Sequence, residues 1–242
     1  MTQQPVRPGS GAMFDAIAER YDLLNRIISL GIDQRWRARL IEAIGPRSGH
    51  RVLDLATGTG DVGLMLAEQH PEIQVVGLDP SGKMLDVARG KATERRVSGQ
   101  VEFLQGEAER LPFEDRSFDG CMMAFGIRNV ADRPAALREM ARVVRPGGRI
   151  AILELSEPRS GVLGPLARFH IHSVVPAVGA LLSGAREYGY LQASIAAFPP
   201  PDEFAALMRS SGLDVLSVVP MTFGAACLYV ASPSAVSPHA AG

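Results

Sequence analysis

The stretch that most restricts what this chain can fold into is residues 51–69. Arg51-Val-Leu-Asp-Leu-Ala56 is followed by Thr57-Gly-Thr-Gly-Asp-Val-Gly63 and then by a helix-period run to Gln69. A short apolar run that ends in glycines and opens directly into a helix is the first half of a β-α-β unit. The same alternation continues along the chain. Residues 73–78, 101–105, 118–123 and 149–155 read as further buried strands with helical segments between them, one opening at Ser81 as an N-cap. Strands that alternate with helices imply a parallel sheet, right-handed crossovers and a ligand site beyond the carboxyl ends of the strands. Upstream, Phe14, Ile17, Tyr21, Leu24 and Ile28 recur at spacings of three and four and predict an amphipathic helix, with a second over residues 33–44. Downstream, residues 202–211 predict a helix, and 213–219 and 222–230 predict two strands. The short link around Pro220 makes that pair antiparallel, because a parallel pair needs a longer crossover. The expectation is one α/β domain over residues 13–231, mostly parallel with an antiparallel C-terminal strand and helices on both faces. Residues 160–195 read as a helical cap or lid, and residues 1–12 and 232–242 as flexible ends.

Composition removes several classes of function. The net charge of -1 over 242 residues, without a basic stripe, argues against a nucleic-acid binder. Cys121 and Cys227 lie far apart, and the five histidines are scattered apart from His170 and His172, so neither a disulfide framework nor a metal site is expected. Residues 1–11 lack the apolar core of a leader, which points to a cytoplasmic protein. No run approaches the ~20 apolar residues that span a bilayer. The nearest, residues 173–185, is interrupted by Pro176, Gly179 and Gly184.

Gly58-Thr-Gly60-Asp-Val-Gly63 matches G-x-G-x-x-G, with Asp79 at the end of the next strand, and so admits two ligands. In a nicotinamide dinucleotide the glycines approach a pyrophosphate, and the acid grips ribose hydroxyls. In S-adenosylmethionine (SAM) the ribose is the same, but a sulfonium and an amino-acid group replace the phosphates. Asp54, four residues before Gly58, repels a pyrophosphate and suits a cationic ligand. Asp61, Asp79 and Glu107 add acids near the strand ends. A short-chain dehydrogenase also needs Tyr-x-x-x-Lys, and neither Lys83 nor Lys91, the only lysines, has a tyrosine four residues before it. SAM is the favoured ligand, with nicotinamide chemistry as the minor alternative.

Read as motifs, the chain resembles the class I SAM-dependent methyltransferases, whose sheet is Rossmann-like. The residues that carry the resemblance are Leu53-Asp-Leu-Ala-Thr-Gly-Thr-Gly60, Gly77-Leu-Asp79, Glu107-Ala108 with Leu111-Pro-Phe113, and Leu137 through Gly148. It departs at Ala56, where many members have glycine. Three further stretches make it similar to the menaquinone/ubiquinone-biosynthesis C-methyltransferases over residues 13–231. They are Ile17-Ala-Glu-Arg-Tyr-Asp-Leu-Leu-Asn25 with Trp36-Arg37, Phe125-Gly-Ile-Arg-Asn129, and Tyr188-Gly-Tyr-Leu-Gln-Ala-Ser-Ile195.

That resemblance implies transfer of a methyl group from SAM to a ring carbon of a polyprenylated quinol. The acceptor would be demethylmenaquinol, or alternatively the benzoquinol precursor of ubiquinone or another lipid-like molecule. Cofactor-binding residues would be Asp54, Gly58, Thr59, Gly60, Asp79, Glu107 and Ala108. Arg128 would stabilise a developing phenolate and Asn129 would orient the ring. Alternatively, Arg128 pairs with a carboxylate and fixes its loop. Tyr21 and Tyr188 would line the ring pocket or pack in the core. Residues 169–185 would shield the tail or touch the membrane surface, or else form an ordinary buried helix pair. His170 and His172 match no motif and are assigned no role.

Overall fold

The computed structural model describes Arg26, Ser29 and residues 31–156 and 192–235. The helix expected around Tyr21, most of the cap segment including Tyr188, and the apolar run 169–185 lie outside the described residues. Among the described residues the strands are β1 (Arg51–Leu55), β2 (Gln74–Asp79), β3 (Val101–Gln105), β4 (Phe118–Ala124), β5 (Val144–Leu155), β6 (Leu213–Met221) and β7 (Ala226–Pro233). The helices are α1 (Asp33–Ile44), α2 (Asp61–Gln69), α3 (Gly82–Glu94), α4 (Arg133–Val143) and α5 (Pro201–Ser210).

The seven strands form one sheet in the order β3-β2-β1-β4-β5-β7-β6. Strands β1 to β5 pair in parallel, and β7 runs antiparallel to both β5 and β6, as the short Pro220 link required. The order reverses between β1 and β4, which is the switch point where a ligand crevice opens in such sheets.

Alternate residues of each strand serve opposite cores. Val52, Val75, Met122 and Ala151 pack with Leu40, Ile41, Leu64 and Ala88 from α1, α2 and α3. Leu53, Val76, Cys121 and Ile150 pack with Leu137, Met140, Phe204 and Met208 from α4 and α5. Burial on both faces explains why the parallel strands read as continuous apolar runs rather than as alternating ones. Two helix starts follow from local chemistry: the Ser81 hydroxyl accepts from Met84 N at 3.2 Å, and an Asp132 carboxylate oxygen accepts from Ala135 N at 2.9 Å.

The structure corrects two boundaries. Strand β5 begins at Val144, not at residue 149, because a bulge between Phe118 and Gly120 lets the Arg145-Pro-Gly-Gly148 turn continue the ladder. Strand β7 begins at Ala226, because Thr222, Phe223 and Gly224 take positive φ values of 42°, 56° and 86° and make a 3-10 turn. Trp36 Nε1 donates to Thr222 Oγ1 at 2.9 Å, tying α1 to that turn above the carboxyl end of the sheet.

Candidate active site

The glycine loop is held from both sides by carboxylates. Gly58, at φ 55°, donates its N–H to Asp79 Oδ2 at 2.8 Å, and Ser81 N donates to Asp79 Oδ1 at 2.9 Å. Asp54, next to the carboxyl end of β1, receives the Thr57 hydroxyl at 2.6 Å and Gly63 N at 3.0 Å on one oxygen. A Cβ on Gly63 would stand 3.0 Å from that oxygen, so the glycine is what lets α2 begin against the acid. Gly60, at φ 80°, faces Ala88 and Phe103 rather than a cavity and serves the turn.

Two contiguous hollows open above this loop and share Ala56, Gly58, Ala124 and Phe125. The larger, with about 690 Å³ of empty space, is lined also by Leu78, Asp79, Met84, Glu107, Ala108, Asn129 and Val130. The smaller, about 340 Å³, is lined also by Arg37, Asp54, Thr57, Thr59, Asp61 and Val62. One apolar lobe with acids at its rim thus joins one small charged lobe.

The acids differ in state. Burial pushes the Asp54 carboxyl up to about 6, against the opposing hydrogen bonds from Thr57 and Gly63 and the charge of Arg37. Burial also raises Glu107, with Glu109 and Asp79 adding like charge. For Asp61, burial is outweighed by Lys91, Arg37 and Arg95, which hold it below the ordinary carboxylate range. Asp61 therefore does not offer negative charge to a cofactor as the sequence reading expected. It sits in the first turn of α2 and is ion-paired to Lys91, with Arg95 at 3.9 Å.

Most of the sequence-predicted residues meet here: Asp54, Gly58, Thr59, Asp79, Glu107, Ala108 and Asn129 all line the cleft. Arg128 does not. Its Nη1 donates to Glu154 Oε1 at 2.5 Å and to the Phe125 carbonyl at 2.7 Å, and its N–H donates to Glu154 Oε2 at 3.1 Å. The arrangement observed is the carboxylate-pairing alternative. It fixes the 3-10 turn Ile127–Asn129, from which Asn129 reaches the cleft.

Among the lining residues, Ala56, Arg37 and Phe125 were read from the sequence only as parts of motifs, with no site role given to them. Ala56 at φ 54° and Phe125 at φ 58° are non-glycine residues in the left-handed region, where strain concentrates at functional sites. The departure at Ala56 is thus a conformational one: alanine occupies a backbone that glycine takes more easily. Its Cβ also restricts a neighbour, because a Cβ added at Gly126 would lie 2.6 Å from it. Gly126→Ala is expected to lose about 1–3 kcal/mol by overpacking. Much of that loss should return in the Ala56→Gly/Gly126→Ala double variant, read as denaturant midpoints. Additivity of the two substitutions would refute the contact.

This sheet order, with the cleft over β1, β2 and β4, is the fold of class I SAM-dependent methyltransferases. A crystal structure of a SAM-dependent methyltransferase from Aquifex aeolicus matches it with a TM-score of 0.59 at 20% identity, covering 81% of this chain and 88% of that one. The chain belongs to the ubiE/COQ5 methyltransferase family, whose family profile matches residues 5–232. It is similar to a protein of Deinococcus radiodurans named demethylmenaquinone methyltransferase, 47% identical over 90% of each chain. It is also similar to a protein of Geobacter sulfurreducens named ubiquinone/menaquinone biosynthesis C-methyltransferase UbiE, 44% identical over 90% of this chain and 85% of that one. The resemblance read from the motifs is borne out, and the minor nicotinamide alternative gives way to methyl transfer. Among the described residues, no helix is long and apolar enough to cross a membrane.

Proposed function

We propose that this protein methylates a ring carbon of a prenylated quinol, with demethylmenaquinol as the acceptor and SAM as the methyl donor. The relatives' names supply the acceptor class. The observation that carries the donor is the pair of carboxylates on the glycine loop. The N–H groups of Gly58 and Gly63, which a pyrophosphate would need, donate instead to Asp79 and Asp54. A diphosphate here would face two acids, whereas a ribose and an ammonium group fit them.

SAM, when bound, supplies an electrophilic methyl group on a sulfonium. The protein's part is placement. Asp79 takes the ribose hydroxyls, Glu107 and Ala108 border the adenosine in the larger lobe, and Asp54 and Thr59 border the methionyl end in the smaller one. Gly58 lets the loop approach closely, and Gly60 makes the turn that presents it. Phe125, shared by both lobes, stands where the two join. Asn129 orients the quinol hydroxyl beside the carbon to be methylated, and Arg128, pinned by Glu154, acts as a positioning residue for Asn129. Most of the acceleration then comes from proximity and alignment. Tyr21 and Tyr188 are proposed as ring-pocket residues on the resemblance alone.

Labelled SAM with a short-tailed demethylmenaquinol is expected to give a ring-methylated product, and more slowly with the benzoquinol precursor. Ring methylation of the benzoquinol alone would reassign the acceptor, and no methylation of either would end the quinol reading.

The raised carboxyl of Asp54 gives a pH dependence. An ammonium group binds the ionised acid. As pH falls through about 6, protonation of Asp54 therefore competes with SAM, and affinity near pH 5 is expected to be about tenfold weaker than near pH 7. Titration calorimetry in two buffers of different ionisation enthalpy should show proton release near pH 6. A flat affinity across that range would remove Asp54 from the ammonium site.

A further inference from the structure

We propose that Arg37 binds the α-carboxylate of the SAM methionyl group, so that the smaller hollow, with Arg37 on one wall and Asp54 on another, is a receptor for an amino-acid zwitterion. This rests on the SAM reading above and assigns the part of the donor which that reading leaves without a partner.

Arg37 projects from the first half of α1 and is 6% exposed, yet it lines the hollow. Its Nε donates to Asp33 Oδ2 at 3.1 Å, one turn earlier on the same helix. Its Nη1 lies 4.0 Å from Asp61, which is beyond hydrogen-bond reach. Neither terminal nitrogen has a hydrogen-bond partner among the described residues. A guanidinium carries five N–H donors in a rigid fork matched to a carboxylate, and a buried one with its fork unmatched is costly unless a ligand completes it.

The neighbouring acids are committed elsewhere. Asp61 is ion-paired to Lys91, and Asp33 already accepts from the Ser29 hydroxyl at 2.7 Å and Gln34 Nε2 at 3.3 Å. The guanidinium is oriented further by the Phe125 ring, whose centroid is 5.5 Å from it. That ring is held in turn at 6.3 Å from Trp36. Thus Asp33 aims the side chain from behind, Phe125 supports its flank, and the open end of the fork is left to the hollow. A ligand group with one positive and one negative charge adds nothing to the net charge there, whereas a phosphate would add uncompensated anion beside Asp54.

The test compares three adenosyl ligands on the full chain by titration calorimetry: SAM, decarboxylated SAM, which keeps the ammonium but lacks the carboxylate, and 5′-methylthioadenosine, which lacks both. The unaltered protein is expected to prefer SAM over decarboxylated SAM by about tenfold or more, the scale of a charge-assisted hydrogen-bonded pair. Arg37→Gln is expected to weaken SAM by about ten- to hundredfold while leaving decarboxylated SAM and methylthioadenosine within about twofold, so that the preference disappears. Arg37→Lys should keep part of it. Because Arg37→Gln strands Asp33, the Asp33→Asn/Arg37→Gln double variant runs alongside with its thermal midpoint, and the preference is read as a ratio within each protein. Equal weakening of all three ligands, or a preference that survives in Arg37→Gln, overturns the assignment while the SAM reading stands. Failure of the unaltered protein to bind any of the three overturns that reading, and this one with it.

Discussion

Asp79→Ala is expected to remove SAM binding from the calorimetric range without unfolding the protein. Asp79 ends β2 at the switch point and lines the larger hollow, with each carboxylate oxygen receiving a backbone N–H from the loop after β1 or the start of α3. A carboxylate accepts several hydrogen bonds, so the group that pins Gly58 keeps acceptor capacity for the ribose hydroxyls that the proposed reading assigns to it. Hydrogen bonds to a charged acceptor contribute about 1.5–3 kcal/mol each, and losing two of them weakens binding by roughly a hundredfold to ten-thousandfold. Loss of the two loop contacts adds disorder in Gly58, which borders both lobes. Asp79→Asn keeps the size and one acceptor and should fall between. The check is a titration with SAM beside a thermal melt. Affinity within tenfold of the unaltered protein, in a variant that melts normally, would mean that the ribose is held elsewhere.

The place of Asp79 was readable from the sequence because it is set by local order: an acid at the end of the second strand, after a glycine turn, has one place to be in a β-α-β unit. The same holds for Gly58, Glu107 and Asn129, each just beyond a strand end. Arg37 and Glu154 were not readable in this way. Helix periodicity treats an arginine as a solvent-facing residue, and α1 buries Arg37 only because Asp33, four residues earlier, and the ring of Phe125, from a distant loop, receive it. Glu154 stood in view as the lone acid inside Ile150-Ala-Ile-Leu-Glu-Leu155. Its partner is 26 residues away on another element, and pairing at that range belongs to the tertiary fold. The β5 boundary was misplaced for a related reason: Pro146, Gly147 and Gly148 signal a turn locally, while the bulge opposite Asp119 carries the ladder through them. Asp61 illustrates the opposite error, since counting acids near a ligand says nothing about which are already neutralised.

Glu154→Ala is expected to cost about 3–5 kcal/mol of stability, a large share of the ~5–15 kcal/mol that holds a typical domain together. The side chain is 0% exposed and accepts from Arg128 Nη1 at 2.5 Å, Arg128 N at 3.1 Å and Leu155 N at 2.8 Å. Its removal takes from the buried Arg128 guanidinium a carboxylate acceptor and leaves two backbone donors without the one they had. Arg128→Met should lose a comparable amount by stranding the carboxylate instead. The Arg128→Met/Glu154→Leu pair removes both charges and should be more stable than either single variant, because an apolar pair of similar volume needs no desolvation. That double variant separates holding the fold from holding the site. The ion pair fixes the Ile127–Asn129 turn, so without it Asn129 loses its fixed approach to the cleft. The recovered protein should therefore bind SAM within about threefold of the original yet turn over at least about tenfold more slowly, since small misplacements of a positioning group are expensive in rate. Full turnover in the recovered protein would show that Arg128 and Glu154 serve stability alone and that Asn129 is positioned without them.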